Sequence, residues 1–195
     1  SHDMRTPLNG ILGFTNMALK SDDTVLIKDC LSKIKTSSDI LSNMVNDTLI
    51  MSRVENGSYK LDVKPDDLRN VIDEMMAPQM MIAEDKGIDM TADISVDADC
   101  NVMVDRLSLQ KVYMNIISNA VKFTPQGGRI RVDIKAAKAS DNTIELWARV
   151  EDSGEGIASE FIPHIFEPFT QEDSANAGRH GNGLGLSIVK SILDA

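Results

Sequence analysis

The feature that most constrains this chain is a long stripe of apolar residues at helical spacing. Between residues 25 and 56, apolar side chains recur at intervals of three and four, as on one face of a helix. Residues 1–20 show the same spacing, and the polar cluster at residues 21–24 separates the two segments. Two helices joined by a short loop form a hairpin, and a hairpin cannot bury such a stripe alone. The sequence therefore predicts a homodimer in which two hairpins form a four-helix bundle.

A histidine and an acid stand at the start of the first predicted helix. His2 and Asp3 are followed by Thr6 and Pro7, and the apolar spacing continues across the proline. Proline removes a backbone N–H and crowds the preceding turn, so it is a poor residue for a helix interior. A proline that is kept inside a helix close to a histidine indicates that the backbone geometry around the histidine serves a function. From these residues alone, however, a surface histidine near a frayed terminus is the favoured interpretation.

After Gly57 the pattern changes to short segments of both kinds, and we place a domain boundary between residues 57 and 58. Alternating apolar residues predict a strand at 59–63, and Pro65 predicts the start of a helix that ends at Lys86. The methionines of that helix, Met75, Met76, Met80 and Met81, are expected in the core rather than in a binding stripe. Further strands are predicted at 88–94, 102–104, 129–135 and 143–150, with helices at 106–123 and from about Gly183 onward. Because helices and strands mix without strict alternation, the predicted class is α+β, with a largely antiparallel sheet packed on helices.

The helix at residues 106–123 carries three polar side chains on one face. Asn115, Asn119 and Lys122 lie at i, i+4 and i+7. An asparagine oxygen can bind Mg²⁺, and a lysine can neutralise phosphate oxygens. The pattern is typical of a polyphosphate-binding surface, although an ordinary solvated face explains it equally well.

Two glycine-containing stretches have a similar ambiguity. Asp152 follows a strand and precedes Gly154 and Gly156, so its carboxylate can accept from a ligand amine that approaches the backbone closely. A simple turn also explains Asp-Ser-Gly. Residues 181–187, Gly-Asn-Gly-Leu-Gly-Leu-Ser, open the last helix, where exposed N–H groups and the helix dipole favour anions. Alone, a G-x-G-x-G pattern is a weak signal.

Charge and composition exclude several classes of function. The formal net charge is −10, whereas a nucleic-acid partner requires clustered lysine and arginine. The longest apolar runs are far shorter than the ~20 residues that span a bilayer, so no membrane contact is expected within this stretch. Cys30 and Cys100 match no metal or redox spacing and indicate free thiols in a reducing compartment. We therefore expect a cytoplasmic location, while the parent chain can still be membrane-anchored.

Taken in order, five stretches resemble the signature motifs of the sensor histidine kinases of two-component signalling. They are residues 1–8 (H box), 115–125 (N box), 152–157 (first glycine box), 166–169 (F box) and 181–187 (second glycine box). The resemblance covers nearly the whole chain. It implies a dimerisation and phosphotransfer domain at residues 1–57 and a Bergerat-type α/β-sandwich ATP-binding domain at residues 58–195.

The resemblance also implies a reaction and its first participants. His2 would accept the γ-phosphoryl group of ATP, with Asp3 orienting the ring and taking its proton. Thr6 matches a position that helps water to hydrolyse the phosphorylated partner in phosphatase-competent members. ATP and Mg²⁺ are the implied cofactors, and the receiver domain of a response regulator is the implied partner, which would receive the phosphoryl group on an aspartate.

The nucleotide-binding residues follow from the same motifs. Asn115 would hold Mg²⁺, Asn119 and Lys122 would contact the phosphates, and Asp152 would accept from the adenine amine. The full implied set comprises Asn115, Asn119, Lys122, Phe123, Asp152, Gly154, Gly156, Ile157, Gly181, Gly183, Leu184, Gly185 and Leu186.

The sequence departs from the family pattern at three places. Thr170 and Gln171 stand where many members have an arginine, as in many hybrid-type kinases. The first helix is short before His2, and the closing strands of the ATP-binding domain are expected to be missing after Ala195. Two alternatives remain: a related ATPase without phosphotransfer, such as the ATPase of DNA gyrase, and a non-catalytic dimeric scaffold that keeps nucleotide as a structural ligand.

Overall fold

The structure is a computed structural model that describes residues 2–96, 100–140, 143–171 and 183–195, with only the backbone described for His2 and Asp3. The chain divides into two compact units between Tyr59 and Lys60. No helix within the described ranges is long and apolar enough to cross a membrane.

The first unit is a helical hairpin, as the apolar spacing predicts. Helix α1 spans His2–Leu19 and passes through Pro7, and α2 spans Thr24–Glu55. Asp23 caps the start of α2. Its Oδ1 accepts a hydrogen bond from the backbone N–H of Val25 at 2.8 Å, which satisfies one of the free donors of the first turn. The two helices come close at Gly10, where a Cβ would lie 3.1 Å from Ser37 Oγ.

Much of the apolar stripe of the hairpin stays accessible within one copy of the chain. In α2 the buried side chains are Cys30 and Asp47, whereas Leu31 is 55% exposed and Val45 44% exposed. An exposed seam of this kind supports the prediction that a second hairpin covers it.

The second unit contains two small sheets with helices packed on one of them. Its elements are β1 (Lys64–Asp67), α3 (Leu68–Asp85), β2 (Asp89–Val96), β3 (Asn101–Val104), α4 (Arg106–Phe123), β4 (Arg129–Ser140), β5 (Thr143–Asp152), a 3-10 turn (Ile162–His164) and α5 (Gly185–Leu193). Strands β1 and β3 pair antiparallel, and the other sheet has the order β2-β4-β5. This mixed α+β architecture agrees with the predicted class.

The core of this unit lies between the three-stranded sheet and helices α3 and α4. Alternate residues of β4 face inward, among them Ile130, Val132 and Ile134, each at most 1% exposed. Ile72 of α3 and Ile117 of α4 are fully buried against them. The packing holds α4 against the sheet, so its polar face is presented at a defined position.

Three expectations for this unit are wrong in detail. Residues 59–63 form no strand; the strand lies at 64–67, where it pairs with β3, and Asp67 then caps α3 by accepting from Arg69 N at 2.9 Å. The sheet is less antiparallel than expected, because β2 pairs parallel to β4. Met80 and Met81, expected in the core, are 41% and 67% exposed on the outer side of α3.

Candidate nucleotide-binding site

The position of α4 is set at its first turn. Asp105 caps the helix by accepting from the backbone N–H of Ser108 at 3.0 Å and from its hydroxyl at 2.8 Å. Burial opposes ionisation of Asp105, but these bonds and one from Asp62 N outweigh it, so the pKa of Asp105 is lowered. Arg106 adds an ion pair to Asp66 at 2.9 Å. The helix carrying the candidate site is therefore tied to the preceding segment and to β1.

Asn115 lies where α4 meets the start of α5. Its Oδ1 is 3.1 Å from the position a Cβ would take on Gly185. Its Nδ2 is buried and has no hydrogen-bond partner among the described residues. A buried unpaired amide is unfavourable, and the oxygen and nitrogen of an asparagine amide are interchangeable by rotation. This unsatisfied amide fits a residue whose polar partner is a bound ligand or metal ion.

The end of β5 brings Asp152 and its glycine loop to the C-terminal end of α4. Asp152 is exposed, and its Oδ1 accepts from Gly154 N at 2.9 Å. A Cβ on Gly154 would lie 2.8 Å from the carbonyl oxygen of Phe123, so only glycine fits this approach. Gly156 has φ +73°, a left-handed conformation that favours glycine.

Ser153, which the sequence analysis did not single out, holds this loop in register. Its N–H donates to the Arg129 carbonyl at 3.0 Å, and its Oγ accepts from Arg129 N at 2.8 Å. The two bonds continue the β4–β5 pairing by one residue and place Asp152 at the sheet edge.

The second glycine stretch is described from Gly183 onward, and Gly181 lies outside the described residues. Gly183 has φ +66°, and a Cβ there would lie 2.7 Å from the Phe169 carbonyl carbon. Phe169 has φ +62° and donates its N–H to the Gly183 carbonyl at 2.9 Å. The F box and the second glycine box therefore meet directly.

The other residues predicted at the site lie on α4, at the start of α5 and after the end of β5. Lys122 lies above the ring of Phe123, with Nζ 4.7 Å from the ring centre, and Asn119 is half-buried on the same helix. Leu184 is buried and Leu186 half-buried at the start of α5, whereas Ile157 is exposed.

The phosphoacceptor residues lie in the first unit. Thr6 is exposed on α1. The side chains of His2 and Asp3 lie outside the described part of the chain.

Two residues near the site were missed by the sequence analysis. Lys86 was noted only as a helix end, but its Nζ donates to three carbonyl groups at the end of α4. Thr124 is fully buried, with no partner for Oγ1 in the described ranges. A lysine directly after the end of α3 is the signal for a capping role, but no pattern shows which helix it caps.

A comparison with known protein families identifies a matching family for each of the two units. Residues 1–57 match the family described as "His Kinase A (phospho-acceptor) domain", and residues 104–195 match "Histidine kinase-, DNA gyrase B-, and HSP90-like ATPase". The order of the two domains is the order of the motifs along the chain.

Individual relatives agree with this assignment. The chain is 35% identical over 195 residues to the signal transduction histidine-protein kinase BarA of Escherichia coli, covering 100% of this chain and 21% of BarA. It is 37% identical over 196 residues to the hybrid signal transduction protein dokA of Dictyostelium discoideum, covering 99% of this chain and 12% of that protein. The chain thus spans about a fifth or less of the length of these relatives.

One solved structure is similar in fold over almost the whole chain. The crystal structure of full-length ShkA in complex with AMPPNP matches with a TM-score of 0.67 and 28% identity, over 98% of this chain and 38% of ShkA.

Proposed function

Because the chain belongs to the sensor histidine kinases of two-component signalling, we propose that it transfers the γ-phosphoryl group of ATP to His2 and then to an aspartate of a response regulator. The observation that carries the proposal is the arrangement around Asn115. Its buried, unsatisfied amide faces the glycine that opens α5, beside a helix face that also bears Asn119 and Lys122. This arrangement supports a site for a polyphosphate rather than an ordinary solvated surface.

The proposed binding mode assigns one end of the nucleotide to each glycine stretch. Asp152 accepts from the adenine amine, and Gly154 and Gly156 let the base approach the backbone. Backbone N–H groups at Gly183 and Gly185 favour the phosphates, together with the positive end of the α5 dipole. Phe123, Ile157, Leu184 and Leu186 complete the walls in this proposal, and Gly181, the other member of the implied set, lies outside the described residues.

Mg²⁺ fits the amide of Asn115, because an asparagine oxygen is one of the oxygen ligands that this ion accepts. When bound, the ion supplies positive charge against the phosphate oxygens and aligns them for transfer. In the described ranges no group of three or more His, Cys, Asp or Glu side chains could hold a metal ion. Few protein ligands are sufficient in a site where substrate phosphates provide the rest.

The proposed transfer is a displacement at phosphorus. The lone pair of a neutral His2 ring nitrogen forms the new N–P bond, while the bond from the γ-phosphorus to its bridging oxygen breaks and ADP leaves. Asp3 takes the proton from the other ring nitrogen. At pH 7 a histidine with the ordinary pKa of about 6.5 is largely neutral, as this attack requires.

The partner proposals follow from the first unit. The exposed seam of α2 supports a homodimer. The partner that accepts the phosphoryl group from His2 is a receiver domain. If the chain also acts as a phosphatase, the exposed Thr6 assists the hydrolysis. We place the reaction in the cytoplasm, where ATP and response regulators are present.

Incubation with ATP labelled at the γ-position tests the proposal. The expected product is acid-labile label on the chain, lost in His2→Ala and retained in His164→Ala, a histidine paired with Glu167 on the surface of the second unit. Release of free phosphate without labelled protein would favour a plain ATPase, and absence of both products would favour a scaffold. Label that persists on His2→Ala would contradict His2 as the acceptor.

A further inference from the structure

We propose that Lys86 is a positioning residue of the nucleotide site, acting through the C-terminal end of α4. The inference rests on the proposed function for the identity of the nucleotide, but the structural role of Lys86 is independent of it. Lys86 lies at the end of α3, 35 to 38 residues before the groups it contacts.

The contacts of Lys86 are those of a helix cap supplied by a different helix. Its Nζ donates to the carbonyl oxygens of Val121 at 2.6 Å, Lys122 at 3.0 Å and Thr124 at 2.8 Å. The last carbonyls of a helix have no partner within it, and a cation there also opposes the negative end of the helix dipole. One half-buried ammonium thus uses its three hydrogens on the end of α4.

The held segment is the one that joins the two ends of the proposed site. Along the chain, Phe123 lies between the residues whose carbonyl groups Lys86 binds. The carbonyl oxygen of Phe123 is in close contact with Gly154, which is two residues after Asp152. The ammonium of Lys122 lies over the Phe123 ring. A displacement of this turn therefore moves the phosphate side and the adenine side of the site together.

Backbone bonds nearby make a variant at Lys86 compatible with folding. Gly127 N donates to the Gly87 carbonyl at 2.8 Å, and Asp89 N donates to the Gly128 carbonyl at 3.0 Å. These bonds join the turn after α3 to the turn after α4 without any lysine. We therefore expect loss of the ammonium to loosen the end of α4 rather than to unfold the unit.

The test compares three substitutions in the whole chain by calorimetric titration with ADP. Lys86→Met removes the ammonium and keeps most of the stem, and we expect its Kd to rise about tenfold or more. Lys86→Arg keeps a cation with several donors and should recover most of the affinity. Lys64→Met, the same change at an exposed lysine paired with Asp62, should bind as the wild type does. In autophosphorylation, KM for ATP should rise more than kcat falls.

A spectroscopic measurement decides the positioning role without nucleotide. The backbone amide resonances of Phe123 and Gly154 should shift in nucleotide-free Lys86→Met and return towards their wild-type positions in Lys86→Arg. Unchanged resonances, or an unchanged ADP affinity in Lys86→Met, would overturn the inference. If the wild type bound no ADP, the proposed function would fail, while the amide shifts would still test Lys86. Should Lys86→Met not fold, Lys86→Gln replaces it in both measurements.

Discussion

The close approach of Gly154 to α4 makes a single added methyl group a sharp test of the proposed adenine side. A Cβ at this position would lie 2.8 Å from the Phe123 carbonyl oxygen, 0.6 Å short of the 3.4 Å at which ordinary contact begins. It would also lie 2.7 Å from Asp152 Oδ1. The carboxylate can rotate away, but the backbone carbonyl cannot, so the loop or the end of α4 must move in Gly154→Ala.

The size of the effect follows from the cost of overpacking. Inserting a methyl group into a closely packed contact costs about 1–3 kcal/mol. If that cost falls on the conformation that binds nucleotide, affinity drops about 5- to 150-fold, at ~1.4 kcal/mol for each factor of ten. We expect a fall of about tenfold in ADP affinity, with a smaller loss in thermal stability.

Gly127→Ala is the matched control for the Gly154 substitution. Gly127 has φ +80° with no atom within 4 Å of a Cβ, so alanine there brings left-handed backbone strain of ~1–2 kcal/mol without a clash. In Gly127→Ala, thermal unfolding should show a loss of stability, while titration should show normal ADP affinity. In Gly154→Ala, ADP affinity should fall strongly, with a smaller loss of thermal stability. Normal ADP affinity in a folded Gly154→Ala would refute the reasoning that this contact shapes the site.

Three further predictions concern the dimer, the base and the core. The double substitution Leu41→Glu and Val45→Glu would bury charge in the proposed seam, so this variant should sediment as a monomer. A dimer that persists in the variant would disprove the four-helix bundle. In the wild type, ATP should bind about tenfold or more tightly than GTP, because guanine has a carbonyl oxygen where adenine has its amine, and two acceptors would then face each other at Asp152. Asp152→Asn should lose much of this difference. Equal wild-type affinities by titration would contradict the role of Asp152. Burial raises the pKa of Tyr113 to about 12, so the folded state keeps the proton while the unfolded state loses it above pH 10. The free energy of unfolding should fall by ~2 kcal/mol between pH 10 and 12, and Tyr113→Phe should lack this component in denaturant titrations.

Many local features of the fold were predictable from the sequence. The limits of α4, from the cap at Asp105 to Phe123, agree with the expectation, as does the start of α2 after the polar cluster. Caps and apolar spacing act over one or two turns, so neighbouring residues contain the necessary information. The order of the five motifs identified the family for the same reason, since each motif is a short run with its own chemistry.

Other predictions failed where distant contacts decide. Alternation at 59–63 satisfies a strand pattern, yet a strand needs a partner, and β3 pairs with residues 64–67 instead. The parallel pairing of β2 with β4 is equally invisible in either strand alone. Met80 and Met81 are apolar like Met75 and Met76, which are buried, but the side of α3 that meets the sheet is set by the whole packing.

What the sequence by itself determined is the set of elements and the chemistry of the candidate site: the hairpin, the α+β unit and the amide, carboxylate and glycine residues. Only the tertiary structure decided how these residues meet. Gly154 lies against Phe123, Gly185 against Asn115, and Lys86 against the end of α4. Each contact joins segments that are about 30 to 70 residues apart. Such contacts depend on the packing of helices and strands into one core, and no local pattern encodes their geometry.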